Sequence, residues 1–371
     1  MTTALATTVF HPSMALLSRL LLTNIEEKES CSQDLTTLNS SFRNMSREEF
    51  DDLVTLASSN HVIVRGMEAF LRVMQEENDE TRASWAHAAL ATEHARVFKA
   101  LGFLHDICTA FESEKHHVVV IKSLDHWPDL GSDLDLYSDA DSKVISELML
   151  RRFKAKIAPR SWGDRLAGKW NFLVPGLPEA VEIHVGRLGQ TGEQVTIASR
   201  LIERSRQLTI GTQTFRVPSA SDRLMISTLQ RMYRHFYFRL CDVVDSAVLV
   251  DEGDIDFRDL CTAATQAGIW EGVATYLAIV SDYVGKYRGR GLEVPYFVRA
   301  AARFGGDEVF FAREFLRVPI MPQSVRLYGA QLAGVLRRLE LKNGARLSLL
   351  PWLATAALVG QKITGSDKGI W

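Results

Sequence analysis

The rhythm of apolar and polar positions changes twice along the 371 residues. From about residue 13 to residue 115 the apolar positions recur at helical spacing. Met14, Ala15, Leu16 and Leu17, followed by Leu20, Leu21 and Leu22, predict an opening helix. Ser46-Arg47-Glu48-Glu49 reads as a capping box ahead of the stripe Phe50, Leu53, Val54 and Leu56. Val62 to Met74 and Trp85 to Phe111 continue the pattern. In the second, Ala88, Leu90, Ala91, Ala95, Phe98, Leu101 and Leu104 are expected along one side. These helices either back a sheet or wall a cleft.

At Val118 the period shortens to two. The β-branched run Val118 to Ile121 predicts a buried strand ended by Lys122 and Ser123. A polar connector with Pro128 and Gly131 leads to Ser132-Asp133-Leu134-Asp135-Leu136. On a strand that alternation puts Asp133 and Asp135 on one face, and Leu134 and Leu136 on the other. Ser142 to Phe153 returns to helical spacing, with Val144, Ile145, Leu148 and Leu150 inward. Lys169 to Val174 and Ala180 to Val185 flank Pro175-Gly176-Leu177-Pro178 and read as a hairpin. Glu182 and His184 share one face of its second arm. Lys169, Asn171 and Leu173 share one face of the first. Thr209 to Val217 predicts another strand pair turning at Gly211, and a helix capped by Ser219 or Ser221 comes next. From Leu224 to Val250 the pattern is one long helical stretch rich in aromatic and basic residues. From Phe257 onward it is helical throughout.

Composition narrows this picture. The length suffices for two or three domains with substantial cores. A formal net charge of -2 excludes a global basic field for nucleic acid and leaves room for a local basic groove. Cys31, Cys108, Cys241 and Cys261 are scattered, with no CxxC or Cys/His spacing. Zinc is therefore not expected, and a reducing cytoplasm fits best. His87, His94 and His105 lie too far apart for a helical metal pair and read as ordinary helix residues. The N-terminus lacks a basic region before its apolar residues and is not read as a signal peptide. Leu347 to Val359 is apolar but short and interrupted by Pro351, so it is not expected to span a bilayer. Tyr287-Arg288-Gly289-Arg290-Gly291 reads as a basic loop. Arg326, Arg337, Arg338, Lys342 and Arg346 make the C-terminus either a solvated helix face or a contact for a membrane surface or acidic partner.

Two carboxylates two residues apart on a strand face repel each other unless solvent or a divalent cation lies between them. Glu182 on a neighbouring strand adds a third. Lys122-Ser123, Gly131-Ser132-Asp133-Leu134-Asp135-Leu136 and Glu182 together resemble the nucleotidyltransferase superfamily of the DNA polymerase beta type. Its pattern is an apolar strand ending in Gly-Ser, then Asp-x-Asp, then an acid on a later strand. The pattern is most similar to an uncharacterised branch with Lys-Gly at the strand end and acid-x-His on the third strand. This sequence departs in having Lys122 where many members have Gly, and Glu182 where Asp is usual.

The resemblance implies an α+β fold: a small mixed nucleotidyltransferase sheet flanked by N-terminal helices and a C-terminal all-helical domain. The expected divisions are 1–115 for the helical region, 116–218 for the catalytic core and 219–371 for the helical domain. It implies two magnesium ions on Asp133, Asp135 and Glu182. A nucleoside triphosphate, ATP by preference, would meet Lys122, and Ser123 through its backbone N–H. Ser132 either bonds a phosphate or shapes the turn, and Lys169 either borders the site or is an exposed lysine on an edge strand. Arg234 and Arg239 either meet the triphosphate or sit on an amphipathic helix that holds the two halves together. Arg231 and His235 are further candidates for the triphosphate. His184 either orients a carboxylate or acts as a base. Arg239, Asp242 and Asp245 match the helical domain of similar enzymes, with Arg239 and Asp242 able to pair and both acids read as structural. The implied reaction transfers an NMP group to a hydroxyl of a small-molecule acceptor and releases pyrophosphate. Two alternatives stand beside it: a toxin-like enzyme modifying RNA or protein, and a non-catalytic nucleotide-binding module.

Overall fold

The computed structural model describes residues 12–23, 42–188, 193–312, 314–349 and 352. Cys31, the first eleven residues and most of the Leu347 to Val359 run lie outside the described residues.

Among the described residues the helices α1 (Pro12–Leu22), α2 (Arg47–Ser59), α3 (Ile63–Glu76) and α4 (Glu80–Ser113) precede the sheet. The expected capping box forms at α2. The Glu49 N–H donates to the Ser46 hydroxyl at 3.2 Å, and the Ser46 N–H donates to the Glu49 carboxylate at 2.7 Å. In α4 the buried stripe runs through Ala86, Leu90, Glu93, Val97, Leu101 and Leu104. The expected stripe is wrong in part, because Ala88, Ala91, Ala95 and Phe98 are exposed. Alanines fill both faces of this helix and dilute the periodic signal. A buried acid, Glu93, also stands where the pattern wants an apolar residue.

The main sheet has strands β1 (Val118–Val120), β2 (Asp133–Ser138), β3 (Lys156–Ile157), β4 (Lys169–Leu173) and β5 (Ala180–Val185), ordered β1-β2-β5-β4-β3. β2 and β5 run parallel, and the other neighbours are antiparallel. Between β2 and β3 lies α5 (Ser142–Phe153), which buries Ile145, Leu148 and Met149. Leu150, expected inward, is exposed; Met149 takes its place one residue earlier. A short α6 (Trp162–Leu166) precedes β4, and α7 (Glu193–Glu203) comes after β5. The hairpin β6 (Arg206–Ile210) and β7 (Gln213–Val217) turns at Gly211, whose φ of +58° suits glycine.

The C-terminal part departs from the all-helical expectation. The long helix is broken: α8 (Ala220–Gln230) ends in a π-turn over Arg231–His235, Phe236 takes a φ of +56°, and α9 (Leu240–Asp251) starts afresh. Between them β8 (Tyr237–Phe238) joins β9 (Phe310–Ala312) and β10 (Phe315–Arg317) in a second sheet, ordered β8-β10-β9. Strands of two or three residues are too short to print a two-residue period on the sequence. Further helices among the described residues include α10 (Phe257–Gln266), α11 (Trp270–Arg288), α12 (Tyr296–Ala301) and α13 (Val325–Arg337). The fold is mixed α+β, a small mixed sheet with helices at both ends. No helix among the described residues is long and apolar enough to cross a membrane.

Apolar burial falls into two clusters. One unites α1, α2, α3 and the start of α4 with α8, α9 and α11. Ser18 and Tyr283 hydrogen-bond inside it at 2.7 Å. The other lies between the second half of α4 (Val97 to Phe111) and one face of the main sheet, where Leu134, Leu136, Val181 and Ile183 are buried. Each such side chain contributes about 1.5–3 kcal/mol relative to exposure. A one-residue slip of β2 would swap these leucines for Asp133 and Asp135, so the packing of α4 fixes which way the acids face.

Candidate active site

With one face of the sheet held by α4, the other is free to carry polar groups. In the β2–β5 register Asp135 stands beside Glu182. In the β4–β5 register Lys169 stands beside His184, and Asn171 beside Glu182. One cleft is lined by Asp133, Asp135, Glu182 and Lys169 from these strands, and by Lys122, Ser123, Gly131 and Ser132 from the connector. Its opposite wall is built from the π-turn and the segment up to the start of α9: Arg231, Arg234, His235, Tyr237 and Arg239. His61, His126 and Gln230 complete the lining. The cleft encloses about 200 Å³, less than the ~300–1,000 Å³ of pockets that engulf a drug-sized ligand.

Of the residues anticipated from sequence, all but Asn171 and His184 line this cleft. His184 is 1% exposed and sits behind the acids. Its Nε2 lies 2.9 Å from Glu182 Oε1 and 3.8 Å from Asp135 Oδ1. That geometry orients Glu182 and keeps the imidazole from reaching an acceptor in the cleft. The Ser123 N–H, expected to point at a phosphate, instead donates to the Ile121 carbonyl at 2.6 Å. This closes a γ-turn about Lys122, whose φ and ψ are 61° and −53°. The Ser123 hydroxyl accepts from the Asp135 N–H at 2.7 Å and donates to the Asp133 carbonyl at 3.2 Å. Ser123 thus fastens the end of β1 to the start of the acidic strand.

Charge is dense here. The Lys122 ammonium pairs with Asp135 and lies 3.6 Å from Glu182. The Lys169 ammonium pairs with Glu182 and lies 3.6 Å from Asp164. Crowding by the cleft walls, then repulsion from Asp135 and Glu182, raises the Asp133 pKa to about 6. Burial works against the charge on Glu182, yet Lys122, His184 and Lys169 hold its pKa well below the usual carboxylate range. Burial and the guanidinium of Arg234 push His235 well down, and burial and Arg239 do the same to His61. Both imidazoles are therefore neutral at pH 7.

Asp133, Asp135 and Glu182 are hard oxygen donors of the kind magnesium prefers. The Lys122 ammonium holds Asp135 Oδ1, and ligand atoms of Asp135, Glu182 and His184, with none from Asp133, lie within 4.8 Å of one another. Asp135 and Glu182 stand close enough to share one divalent cation, and Lys122 and Lys169 already bear on the same oxygens. Across the cleft, Nε of Arg234 and Nε of Arg239 are buried without a hydrogen-bond partner among the described residues. Donors left in that state are costly unless an anion meets them. Three carboxylates face two ammonium and two guanidinium groups, so the cleft carries a slight positive excess and favours an anionic ligand over a bare cation.

The connector bearing these residues is clamped by groups that sequence inspection missed. Arg96 of α4 donates to the carbonyls of Leu130 at 2.8 Å and Gly131 at 3.3 Å. The same guanidinium pairs with Glu93 and Glu179, each at 2.6 Å. Arg65 of α3 pairs with Asp129 and with Asp245 of α9, each at 2.6 Å. Arg223 of α8 holds Asp125 at 2.8 Å. Glu93, an acid within a buried helical stripe, was the one visible signal. The expected Arg239–Asp242 pairing occurs through the main chain: Asp242 accepts the Arg239 N–H at 2.7 Å, while its carboxylate pairs with the buried Arg231 at 2.7 Å. The Arg239 guanidinium is left to the cleft, over the Tyr237 ring at 5.9 Å.

No protein-family model matches the sequence, and no curated protein matches it. Among solved structures the chain is similar to an antigenic nucleotidyltransferase-like protein from Paracoccidioides brasiliensis, at 13% identity and a TM-score of 0.30, the match covering 45% of this chain and 86% of that one.

Proposed function

We propose that the protein is a magnesium-dependent nucleotidyltransferase, moving an NMP group from a nucleoside triphosphate, ATP by preference, to a hydroxyl of a small-molecule acceptor. The observation that carries this reading is the opposition of Asp133, Asp135 and Glu182 to Arg234 and Arg239, with unpartnered guanidinium N–H groups, across one cleft. The enclosed volume suits a phosphate chain, with the nucleoside extending to the mouth.

Asp133, Asp135 and Glu182 would hold two magnesium ions, which supply charge neutralisation at the phosphates and a lowered pKa for the acceptor hydroxyl. Arg234 and Arg239 donate to the phosphate chain from the other wall. His184 keeps Glu182 in place. Lys122 and Lys169 neutralise the acids until substrate arrives, then remain near the phosphates. The acceptor hydroxyl gives its proton to solvent water, its oxygen attacks the α-phosphorus, the bond to the bridging oxygen breaks, and pyrophosphate leaves with its charge balanced by the arginines. A net charge of -2 favours a small acceptor over a polyanionic one.

A second reading rests on the same ammonium groups. Because Lys122 and Lys169 neutralise the acids on their own, the cleft could bind a triphosphate without metal or turnover. Thermal shift with each of the four nucleoside triphosphates, with and without magnesium, combined with an assay of pyrophosphate release, separates the two. The enzyme reading expects stabilisation that requires both ligands, and release abolished by Asp135→Ala in a folded variant. Stabilisation indifferent to magnesium, or release surviving Asp135→Ala, removes it.

A further inference from the structure

Next to the acids, on the same cleft, stands a cluster of different chemistry. A ring nitrogen of His61, a ring nitrogen of His126 and the Cys241 sulfur lie within 4.8 Å of one another. The three come from distant segments: the link between α2 and α3, the helical turn Ser123–His126, and the first turn of α9. We propose that His61, His126 and Cys241 form a site for a zinc-like transition-metal ion, separate from the magnesium site and not dependent on the nucleotidyl-transfer reading.

Four observations support it. The His126 Nε2 to Cys241 Sγ distance is 3.8 Å, close to the edge of a tetrahedron whose metal bonds are about 2.0–2.3 Å long. The other nitrogen of His126, Nδ1, is hydrogen-bonded to the Asp245 carboxylate. Ligating histidines are commonly oriented in this way, the far N–H given to a carboxylate so that the near nitrogen faces the metal. Asp245 is itself fixed by Arg65 at 2.6 Å. His61 adopts a φ of +55°, a conformation uncommon outside glycine, and its Nδ1 is buried with no hydrogen-bond partner among the described residues. Finally, Cys241 is 0% and His126 9% exposed, while both histidines also line the cleft. A fourth position would therefore open toward water, as in three-ligand zinc sites.

The charges close as well. Arg231, Arg239 and Arg96 act on His61 and oppose a cation. Against them, Asp129 and Asp245 share the single guanidinium of Arg65, leaving one carboxylate charge in excess. On metal binding Cys241 gives up its thiol proton and His126, which despite burial Cys241 and Asp245 favour in the protonated form, gives up the one on Nε2, both to solvent; the thiolate with the excess carboxylate charge then balances a dipositive ion. A thiolate and two imidazoles prefer zinc or cobalt to magnesium. Bound there, the ion would tie the turn after Lys122 and Ser123 to both helical regions.

Cobalt(II) titration of the full chain, in excess magnesium so that the carboxylates are occupied, tests this directly. One equivalent should bind with the visible bands of a tetrahedral ion and a thiolate-to-cobalt charge-transfer band. That band should vanish in Cys241→Ser and persist in Cys108→Ser and Cys261→Ser. A wild type without the band, or a band that survives Cys241→Ser, overturns the proposal. Should Cys241→Ser fail to fold, X-ray absorption on the wild type loaded with zinc decides. One sulfur and two imidazole nitrogens support the site, whereas light atoms alone or several sulfurs refute it.

Discussion

Replacing Lys122 by glycine and, separately, by alanine isolates the strain stored where β1 ends. Lys122 holds a φ of 61° so that Ser123 can fold back on Ile121. Left-handed backbone costs a residue with a Cβ roughly 1–2 kcal/mol, a penalty that glycine escapes. Both substitutions also delete the ammonium that pairs with Asp135 and approaches Glu182. Both groups are largely buried, so each variant is less stable than the wild type by about 3 kcal/mol. The two differ only in the backbone term. Lys122→Gly should therefore be more stable than Lys122→Ala by about 1 kcal/mol, the reverse of the order at an ordinary position, where glycine is roughly 0.5–1 kcal/mol worse. Urea unfolding of the metal-free protein measures the gap. The same experiment carries a second arm. Freed of the ammonium, Asp135 and Glu182 become better magnesium ligands, so magnesium alone should stabilise both variants more than it stabilises the wild type. If alanine equals or exceeds glycine, the turn is unstrained. If magnesium favours the wild type, Lys122 does not compete for the acids.

Arg239→Ala and Arg234→Ala should each raise the KM for the triphosphate about tenfold, the loss of one charge-assisted hydrogen bond of roughly 1.5 kcal/mol. Arg234→Ala should leave the melting temperature unchanged, because its Nε has no hydrogen-bond partner among the described residues, and Arg239→Ala should lower it only slightly, through loss of its contact with the Tyr237 ring; a large fall in melting temperature with unchanged KM would count against an anion site there. Arg96→Ala leaves Glu93 and Glu179 buried without their cation and releases the Leu130 and Gly131 carbonyls. A loss of about 2–4 kcal/mol is expected by denaturant titration, allowing for partial exposure, and Arg96→Lys should recover only part of it. Asp133→Asn should stabilise the metal-free protein at pH 7. The native pKa of about 6 lies above the ordinary 3.8, so the folded wild type takes up a proton between those values and loses stability as pH rises through them. The advantage of Asp133→Asn should thus shrink as pH falls from 7 to 4, and an advantage constant with pH would show that no such carboxyl is present.

What the sequence disclosed was whatever depends on alternation within one strand. Asp133 and Asp135 on one face and Leu134 and Leu136 on the other derive from a period of two, as does the shared face of Lys169 and Asn171; that Glu182 lies on the side of Lys169 comes only from the β4–β5 register. What it hid depends on segments meeting in space. Arg96, Arg65 and Arg223 reach the connector from three helices, and no local pattern distinguishes them from surface arginines. The break between α8 and α9 was hidden for another reason. Aromatic and basic residues from Arg231 to Arg239 suit an amphipathic helix, and only the demand that buried Arg231 reach Asp242 argues for a π-turn there. That break is what turns Arg234 and Arg239 toward the acids. An uninterrupted helix would spread residues five apart over different faces and could not present both guanidiniums to one cleft together with Tyr237. His61, His126 and Cys241 illustrate the same limit. Each is unremarkable in its own stretch, and spacing along the chain speaks against zinc, but the clamping of the connector by both helical regions is what brings them within reach of a single ion.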